Sequence, residues 1–316
     1  LFAAGLKQES VLRIIEARKQ CDVETEMAYL WENDIVILSR ESREYPSVLN
    51  QIPHPPLILY RKGAALNNSY KHIAIVGTRR PSSYGEKIAY ELAFAIAAQD
   101  GIVVSGLAIG IDAIAHFGAV SREKSTIGVL ASGLGIITPA CHERFVERIL
   151  ANNGTIVSEY PPCDPAYQGR FLERNRLIAG LSQAVVVIEA GIKSGALSTA
   201  HHAMLQKREL YALVGEINKP QAAGCLQLIN KGARPITNIG ETMKQLGFQT
   251  PVANTIVSLS SEEKTVFQTL QRDASSTQDL IAKIAIPLHK INVLLSQLEL
   301  KGVVKRNKAL LWEAIL

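Results

Sequence analysis

The chain lacks most of the signals that would settle a function class at once. Its 316 residues hold four cysteines, Cys21, Cys141, Cys163 and Cys225, far apart and without a CxxC pair. That usage excludes a disulfide framework and a zinc site, and it suits a reducing cytosol. No apolar run approaches the roughly 20 residues of a membrane-spanning helix, so no membrane partner is expected. No basic stretch precedes an apolar one at the start, where the first residue is Leu1. The reading is a piece of a longer chain with no targeting signal and a cytoplasmic location. Charge is also modest, with 34 Lys and Arg against 29 Asp and Glu for a net +5. Such a balance permits a nucleic-acid partner without demanding one.

What is present centres on KHIAIVGTRRPSSYG, Lys71 to Gly85. An apolar strand over Ile73 to Val76 meets Gly77, two arginines and a proline, and a long helix opens behind two serines. Gly77 lets the backbone approach a ligand, and Ser82 or Ser83 can cap the helix. The free N–H groups and the positive dipole end of that helix then favour an anion, with Arg79 and Arg80 beside it. The turn has neither the Gly-Lys-Ser/Thr of a P-loop nor the GxGxxG of dinucleotide enzymes. A phosphate-bearing ligand is the simplest guest.

Before this point, Val11 to Leu30 reads as two short helices, with Leu12, Ile14, Ile15, Met27, Leu30 and Trp31 as the expected buried positions. Asp34 to Lys62 is strand-like and rich in proline, and reads as a linker lying on the main domain. From Ile73 onward, strands alternate with helices. The expected strands are Ile73 to Val76, Ile102 to Ser105, Thr126 to Leu130, Thr155 to Ser158, Ala184 to Glu189 and Glu209 to Val214. Apolar strands separated by helical stretches predict an α/β, Rossmann-like core with a mostly parallel sheet covered on both faces. Ligands of such sheets sit beyond the carboxyl ends of the strands. Four of those ends carry glycine turns, at Gly77, Ser105-Gly106, Gly133 and Gly191 to Gly195, and Lys193 and Ser194 lie in the last.

The segment GRFLERNRLIAGL, Gly169 to Leu181, sets Phe171 among arginines. An aromatic between basic residues can stack a base while its neighbours hold phosphates; Phe171 can equally be a core anchor. Asp112 and His116, four apart on one helical face, read as structural before acid–base. Glu189 closes an apolar strand with no nucleophile beside it, and His201 and His202 point to different sides of a helix. After Gly247 an expected linker leads to three helices, Glu262 to Leu270, Thr277 to Ile284 and Pro287 to Lys301. Two strands about a basic turn follow, a winged-helix pattern. From Thr255 to Leu316, eight Lys and Arg face six Asp and Glu, a weak footprint for duplex DNA.

Taken together, these motifs resemble the DprA family, also called Smf, of bacterial DNA-processing proteins. The matching stretches are IVGTRRPSSYG, SGLAIGIDAIAH, IVSEYPP, RFLERNRLIAGLS, VVVIEAGIKSGALSTA and GCLQLINKGARPI, in that order between Tyr45 and Ile236. The resemblance implies an extended Rossmann domain over 34–248, a helical remnant of a SAM-like domain over 1–33, a linker over 249–260 and a winged helix over 261–316. It implies a non-catalytic, cofactor-free homodimer that binds single-stranded DNA and loads the RecA recombinase during natural transformation. Carried over by motif, Gly77, Thr78, Arg79 and Ser82 stand at the phosphate-contacting turn, and Phe171, Arg174, Asn175 and Arg176 stand beside the same pocket. Arg80, Ser105, Gly106, Lys193, Ser194 and Gly195 complete the expected site. The chain departs from the family pattern at Gly135, Thr138 and His142, where Asp, Tyr and Asn are usual. The alternatives are a nucleotide phosphoribohydrolase-like enzyme, against which Thr199 stands where a catalytic Glu is needed, and a duplex regulator acting through the winged helix.

Overall fold

A computed structural model describes residues 7–20, 22–67, 69–249, 260–284, 286–300, 304–307 and 311–314. Cys21, Lys301, most of the expected linker (250–259) and the basic turn near the end (308–310) lie outside them. The chain forms two compact units, Leu1–Thr250 and Pro251–Leu316.

The larger unit is built on nine strands: β1 (Ile35–Ser39), β2 (Ile58–Gly63), β3 (His72–Gly77), β4 (Ile102–Ser105), β5 (Thr126–Val129), β6 (Thr155–Ser158), β7 (Ala184–Ile188), β8 (Glu209–Leu213) and β9 (Arg234–Ile236). They form one sheet in the order β1-β2-β6-β5-β4-β3-β7-β8-β9. From β6 to β9 all neighbours are parallel, and β2 and β1 extend the β6 side antiparallel. The chain walks from β3 outward to β6, then restarts at β7 on the opposite side of β3. The order of strands therefore reverses between β3 and β7, where open α/β sheets hold their ligands.

The strands are apolar along their whole length because both faces are covered. Ala74 and Val76 of β3, with Val185 and Val187 of β7, join the core under α6 (Gln168–Gly180), α7 (Ala196–Leu205) and α8 (Ala223–Asn230). Their neighbours Ile73, Ile75, Val186 and Ile188 join the opposite core. There they meet α3 (Ser83–Ala98), α4 (Ile111–Val120) and α9 (Ile239–Gln245). The two-residue period of a strand sends alternate side chains to opposite sides, so a run such as IAIV fills two cores at once.

The order of strands and helices from Ile73 agrees with the sequence reading, but three regions differ. The stretch 34–62 is not a linker: β2 pairs with β6 in register Tyr60 to Ser158, and β1 forms the sheet edge. Prolines 46, 53, 55 and 56 fall between the two strands and leave their ladders intact. In α1 (Gln8–Gln20) and α2 (Val23–Glu32), Leu30 is buried, whereas Leu12, Ile14, Ile15 and Met27 are exposed and Trp31 is 86% exposed. Leu30 packs with Ile35, Leu134 and Val146, and Val11 of α1 is also buried. Finally α8, β9 and α9 extend the fold beyond the last strand read from sequence, where periods too short to register still pack on β8.

The smaller unit consists of α10 (Ser261–Arg272), α11 (Thr277–Ile284), α12 (Leu288–Leu300) and the antiparallel pair β10 (Val304–Arg306) and β11 (Trp312–Ala314). Ser260 and Glu263 form a reciprocal capping box at the start of α10, worth about 1 kcal/mol. Val266, Leu280, Ile291, Leu295, Leu298 and Trp312 make its core. This is a winged helix.

Candidate nucleic-acid interface

The ends of β3, β4 and β7 are tied to one another before any ligand arrives. The Thr78 amide donates to the Glu189 carbonyl at 2.8 Å, and the Ile111 amide donates to the Thr78 carbonyl at 3.2 Å. Gly110 has φ +84°, and a Cβ there would stand 2.5 Å from the Thr78 oxygen and 2.8 Å from the Arg79 Cα. Glycine is needed at that point both for its conformation and for the close approach of the loop after β4. The turn bearing Arg79 is thus held by backbone contacts, and the Arg79 and Arg80 side chains are exposed.

α6 completes this edge. The Arg79 guanidinium lies 5.5 Å from the centre of the Phe171 ring, and that of Arg174 lies 6.0 Å from the same ring. Phe171 is half-buried, so it is neither a sealed core anchor nor a free surface aromatic. Arg79 and Phe171, 92 positions apart in sequence, form one basic and aromatic surface. Lys193, in the loop after β7, is exposed. Among the described residues, Arg79, Arg80 and Lys193 have no ion-pair partner. Lys193 leads into Ser194 and Gly195, just ahead of α7, where the Ser194 hydroxyl accepts from the Ala196 amide at 3.3 Å. A Cβ at Gly195 would meet nothing.

Other residues expected to contact a ligand are engaged inside the protein. Arg174 is 4% exposed and donates to the carbonyls of Gly106, at 2.8 Å, and Val129. Asn175 donates to the Gly195 carbonyl at 3.2 Å, which ties α6 to the start of α7. Arg176 holds both carboxylate oxygens of Glu159, at 2.5 and 2.6 Å. Ser105 is fully buried, with its hydroxyl on the Ile75 carbonyl at 2.6 Å, and the Gly106 amide donates to Asp112 at 3.1 Å. Ser82 caps α3 as read from sequence, accepting from the Gly85 amide at 3.2 Å. Its own amide and hydroxyl, however, both donate to the Glu189 carboxylate. The anion favoured at the start of α3 is therefore supplied by the protein itself. Sequence reasoning noticed Glu189 only as a strand-closing acid; its place beside β3 at the sheet centre is a tertiary fact.

Comparison with known proteins agrees with this architecture. Residues 36–247 match the family model described as DNA recombination-mediator protein A, and residues 250–308 match the DprA winged helix domain. The chain belongs to this family. It is 36% identical over 216 residues to the DNA processing protein DprA of Bacillus subtilis, covering 68% of this chain and 72% of that one. Two Mycobacterium tuberculosis relatives are 37% identical over 238 residues, and the chain spans 61% of their length. The crystal structure of Streptococcus pneumoniae DprA superposes with a TM-score of 0.66 at 31% identity, over 73% of this chain and 80% of that one. DNA processing protein A of Helicobacter pylori, whose structure addresses its single-stranded DNA binding mode, superposes with a TM-score of 0.60 at 32% identity. It covers 67% of this chain and 95% of that one.

The departures from the family pattern now have physical neighbours. A Cβ at Gly135 would stand 2.2 Å from the Tyr29 hydroxyl, so the missing side chain makes room for α2 over the turn after β5. His142, through Nδ1, meets the Leu107 carbonyl at 2.9 Å and thereby braces the loop after β4. Asp112 and His116 are buried, in keeping with the structural reading. Burial pushes the Asp112 carboxyl up, and the Arg174 guanidinium and the amides of Ala108 and Gly106 pull it back. Burial draws Arg174 down to about 10, with Asp112 opposing, so the guanidinium stays charged at neutral pH.

His116 faces the Thr126 hydroxyl at 2.8 Å, and burial lowers its pKa from 6.5 to about 3. The folded protein holds this imidazole neutral while the unfolded chain protonates near 6.5. The stability it contributes is present above pH 6.5 and is lost as pH falls towards 3. Urea unfolding between pH 7 and 4 is expected to show a stability that declines with acid, by up to about 1.4 kcal/mol per pH unit from this group. His116→Asn should flatten the profile; an unchanged slope would show that His116 is not held neutral. His72, lowered by burial in the same direction, leaves a residual slope.

Proposed function

We propose that this protein binds single-stranded DNA along the carboxyl edge of its parallel sheet. The observation that carries the reading is the Arg79–Phe171 contact at the β3 end. It places a fixed cation and an accessible aromatic face together on the edge where α/β sheets bind ligands. Arg79, Arg80 and Lys193 take phosphates, with the Gly77-Thr78 turn and the Ser194-Gly195 turn beside them. Phe171 packs on a base or ribose. Ser82, Ser105, Gly106, Arg174, Asn175 and Arg176 shape the edge from beneath.

The family adds the finer role. The chain protects incoming strands and loads the RecA recombinase as a cytoplasmic homodimer, and it catalyses no reaction itself. Thr199, buried on α7, stands where a phosphoribohydrolase-like enzyme needs a carboxylate to stabilise sugar charge. The winged helix supports a protein contact over a duplex grip, because Lys290 on its third helix is ion-paired with Glu262.

Fluorescence anisotropy of a labelled single strand tests the reading. Tight binding is expected, with unlabelled duplex competing poorly. A log–log salt slope of about −2 follows from roughly 0.7 per neutralised phosphate at three cations. Stronger competition by duplex would move the activity to the winged helix.

A further inference from the structure

The stripe of α6 that carries Phe171 holds a second exposed aromatic. Tyr167, Arg170, Phe171 and Arg174 stand at positions i, i+3, i+4 and i+7, neighbours on one face of a helix. Tyr167, at the N-cap of α6, is 60% exposed. The Arg170 guanidinium lies 5.0 Å from the centre of its ring and 4.2 Å from that of Tyr160. Arg170 is itself fixed, donating to the Asp164 carboxylate at 2.7 Å and to the Pro165 carbonyl at 2.8 Å. Tyr167 is thus an open aromatic face on a held guanidinium, and the Arg79–Phe171 pair has a counterpart one turn earlier on α6. The two cations differ in one respect. Arg79 has no ion-pair partner among the described residues, whereas the charge of Arg170 is matched by Asp164.

We propose that Tyr167 is a second stacking site for the bound strand, so that Tyr167 and Phe171 each take one base. The proposal rests on the single-strand reading above and extends its path from the end of β3 past the start of α6. One helical turn, about 5.4 Å, separates the two positions along α6. Successive bases of a stacked strand are only about 3.4 Å apart. A strand lying on both rings is therefore stretched, with its bases parted and turned towards the protein, an arrangement that a paired and stacked duplex resists. Stacking of this kind accepts any base, since every base has a π-face. Tyr160, which also meets Arg170, is not part of this path. Its hydroxyl donates to the exposed Glu173 carboxylate at 3.1 Å, and that charge repels phosphates. Because Arg170 brings no uncompensated charge, the contribution of Tyr167 comes from the ring and does not depend on salt.

The test uses the whole chain and a labelled 15-nucleotide thymine strand, beside a strand of the same length made of abasic sites. Tyr167→Ala is expected to bind the thymine strand about tenfold more weakly, at the low end of what a base stacked on an aromatic contributes. The log–log salt slope and the Tm should keep their wild-type values, and Tyr167→Phe should keep wild-type affinity. On the abasic strand, which offers phosphates without bases, Tyr167→Ala and the unmodified protein should bind alike. A loss of equal size on both strands would overturn the proposal, because Tyr167 would then act only by holding Arg170 and the start of α6. If the Tm falls, this comparison of the two strands on one variant still decides. Wild-type affinity of Tyr167→Ala for the thymine strand would also overturn the proposal, while leaving the single-strand reading in place. No binding of either strand by the unmodified protein would overturn both.

Discussion

Arg79→Glu is expected to lower single-strand affinity by about a hundredfold with no change in Tm. A charge-assisted hydrogen bond is worth about 1.5–3 kcal/mol, and reversing the charge adds repulsion. A loss of about 3 kcal/mol, a little over two powers of ten, follows. The fold should not notice, because the Arg79 side chain is exposed and has Phe171 as its packing partner. Arg79→Lys separates the two roles of the guanidinium. Lysine keeps the charge but loses the planar face that stacks on an aromatic, so an intermediate affinity is expected. Phe171→Ala should also weaken binding, by the loss of stacking, while leaving the salt slope near its original value. An Arg79→Glu protein that melts at the wild-type temperature and binds single strands as tightly as wild type would remove this turn from the interface.

The opposite result is expected for Arg174→Ala, although the two arginines touch the same ring. Arg174 is buried with its guanidinium on the Gly106 and Val129 carbonyls, close to the Asp112 carboxylate. A Cβ placed on Gly106 would stand 2.7 Å both from Arg174 Nη2 and from Asp112 Oδ2, which shows how closely the three groups pack. Removing the guanidinium takes a charged donor from the Gly106 and Val129 carbonyls and a neighbouring positive charge from the buried Asp112 carboxyl. Such a loss costs about 1–3 kcal/mol for each group left unsatisfied, a large share of the stability of an ordinary domain. Chemical denaturation should show it directly as a lower midpoint with an unchanged slope. DNA binding should fall as well, but only as far as the turns at β3, β4 and β5 loosen. Arg174→Ala with wild-type stability and lost binding would make Arg174 a direct phosphate ligand and reverse its assignment here.

Why two arginines beside one ring differ so much in burial could not be read from their local sequence. RRPSSYG and RFLERNRL each announce basic chemistry, and local pattern assigns every arginine in them to one surface. Burial then separates Arg79, Arg80 and Lys193, which face solvent, from Arg174 and Arg176, which are occupied by carbonyls and by Glu159. That separation depends on which helix face meets the sheet and on what waits there. Glu159 arrives just after β6 and Val129 ends β5, both distant in sequence from the arginines they hold. The antiparallel β1 and β2 were hidden for a similar reason. Their short ladders are separated by prolines, and β2 earns its place only by pairing with β6, nearly 100 residues downstream.

Periodicity and glycine placement alone determined the alternating core, the glycine-rich edge of its sheet, the cap at Ser82 and the winged helix, because these follow from spacing within a few residues. Which side chains on that edge remain free was decided only in three dimensions. Glu189 is the clearest case: as the last apolar strand ends it looks like any acid in a turn, yet folding sets it against Ser82 beside β3. There its charge satisfies the helix start that the sequence had offered to a phosphate. The identity of a hydrogen-bond partner is a property of contacts between distant segments, and no local pattern carries it.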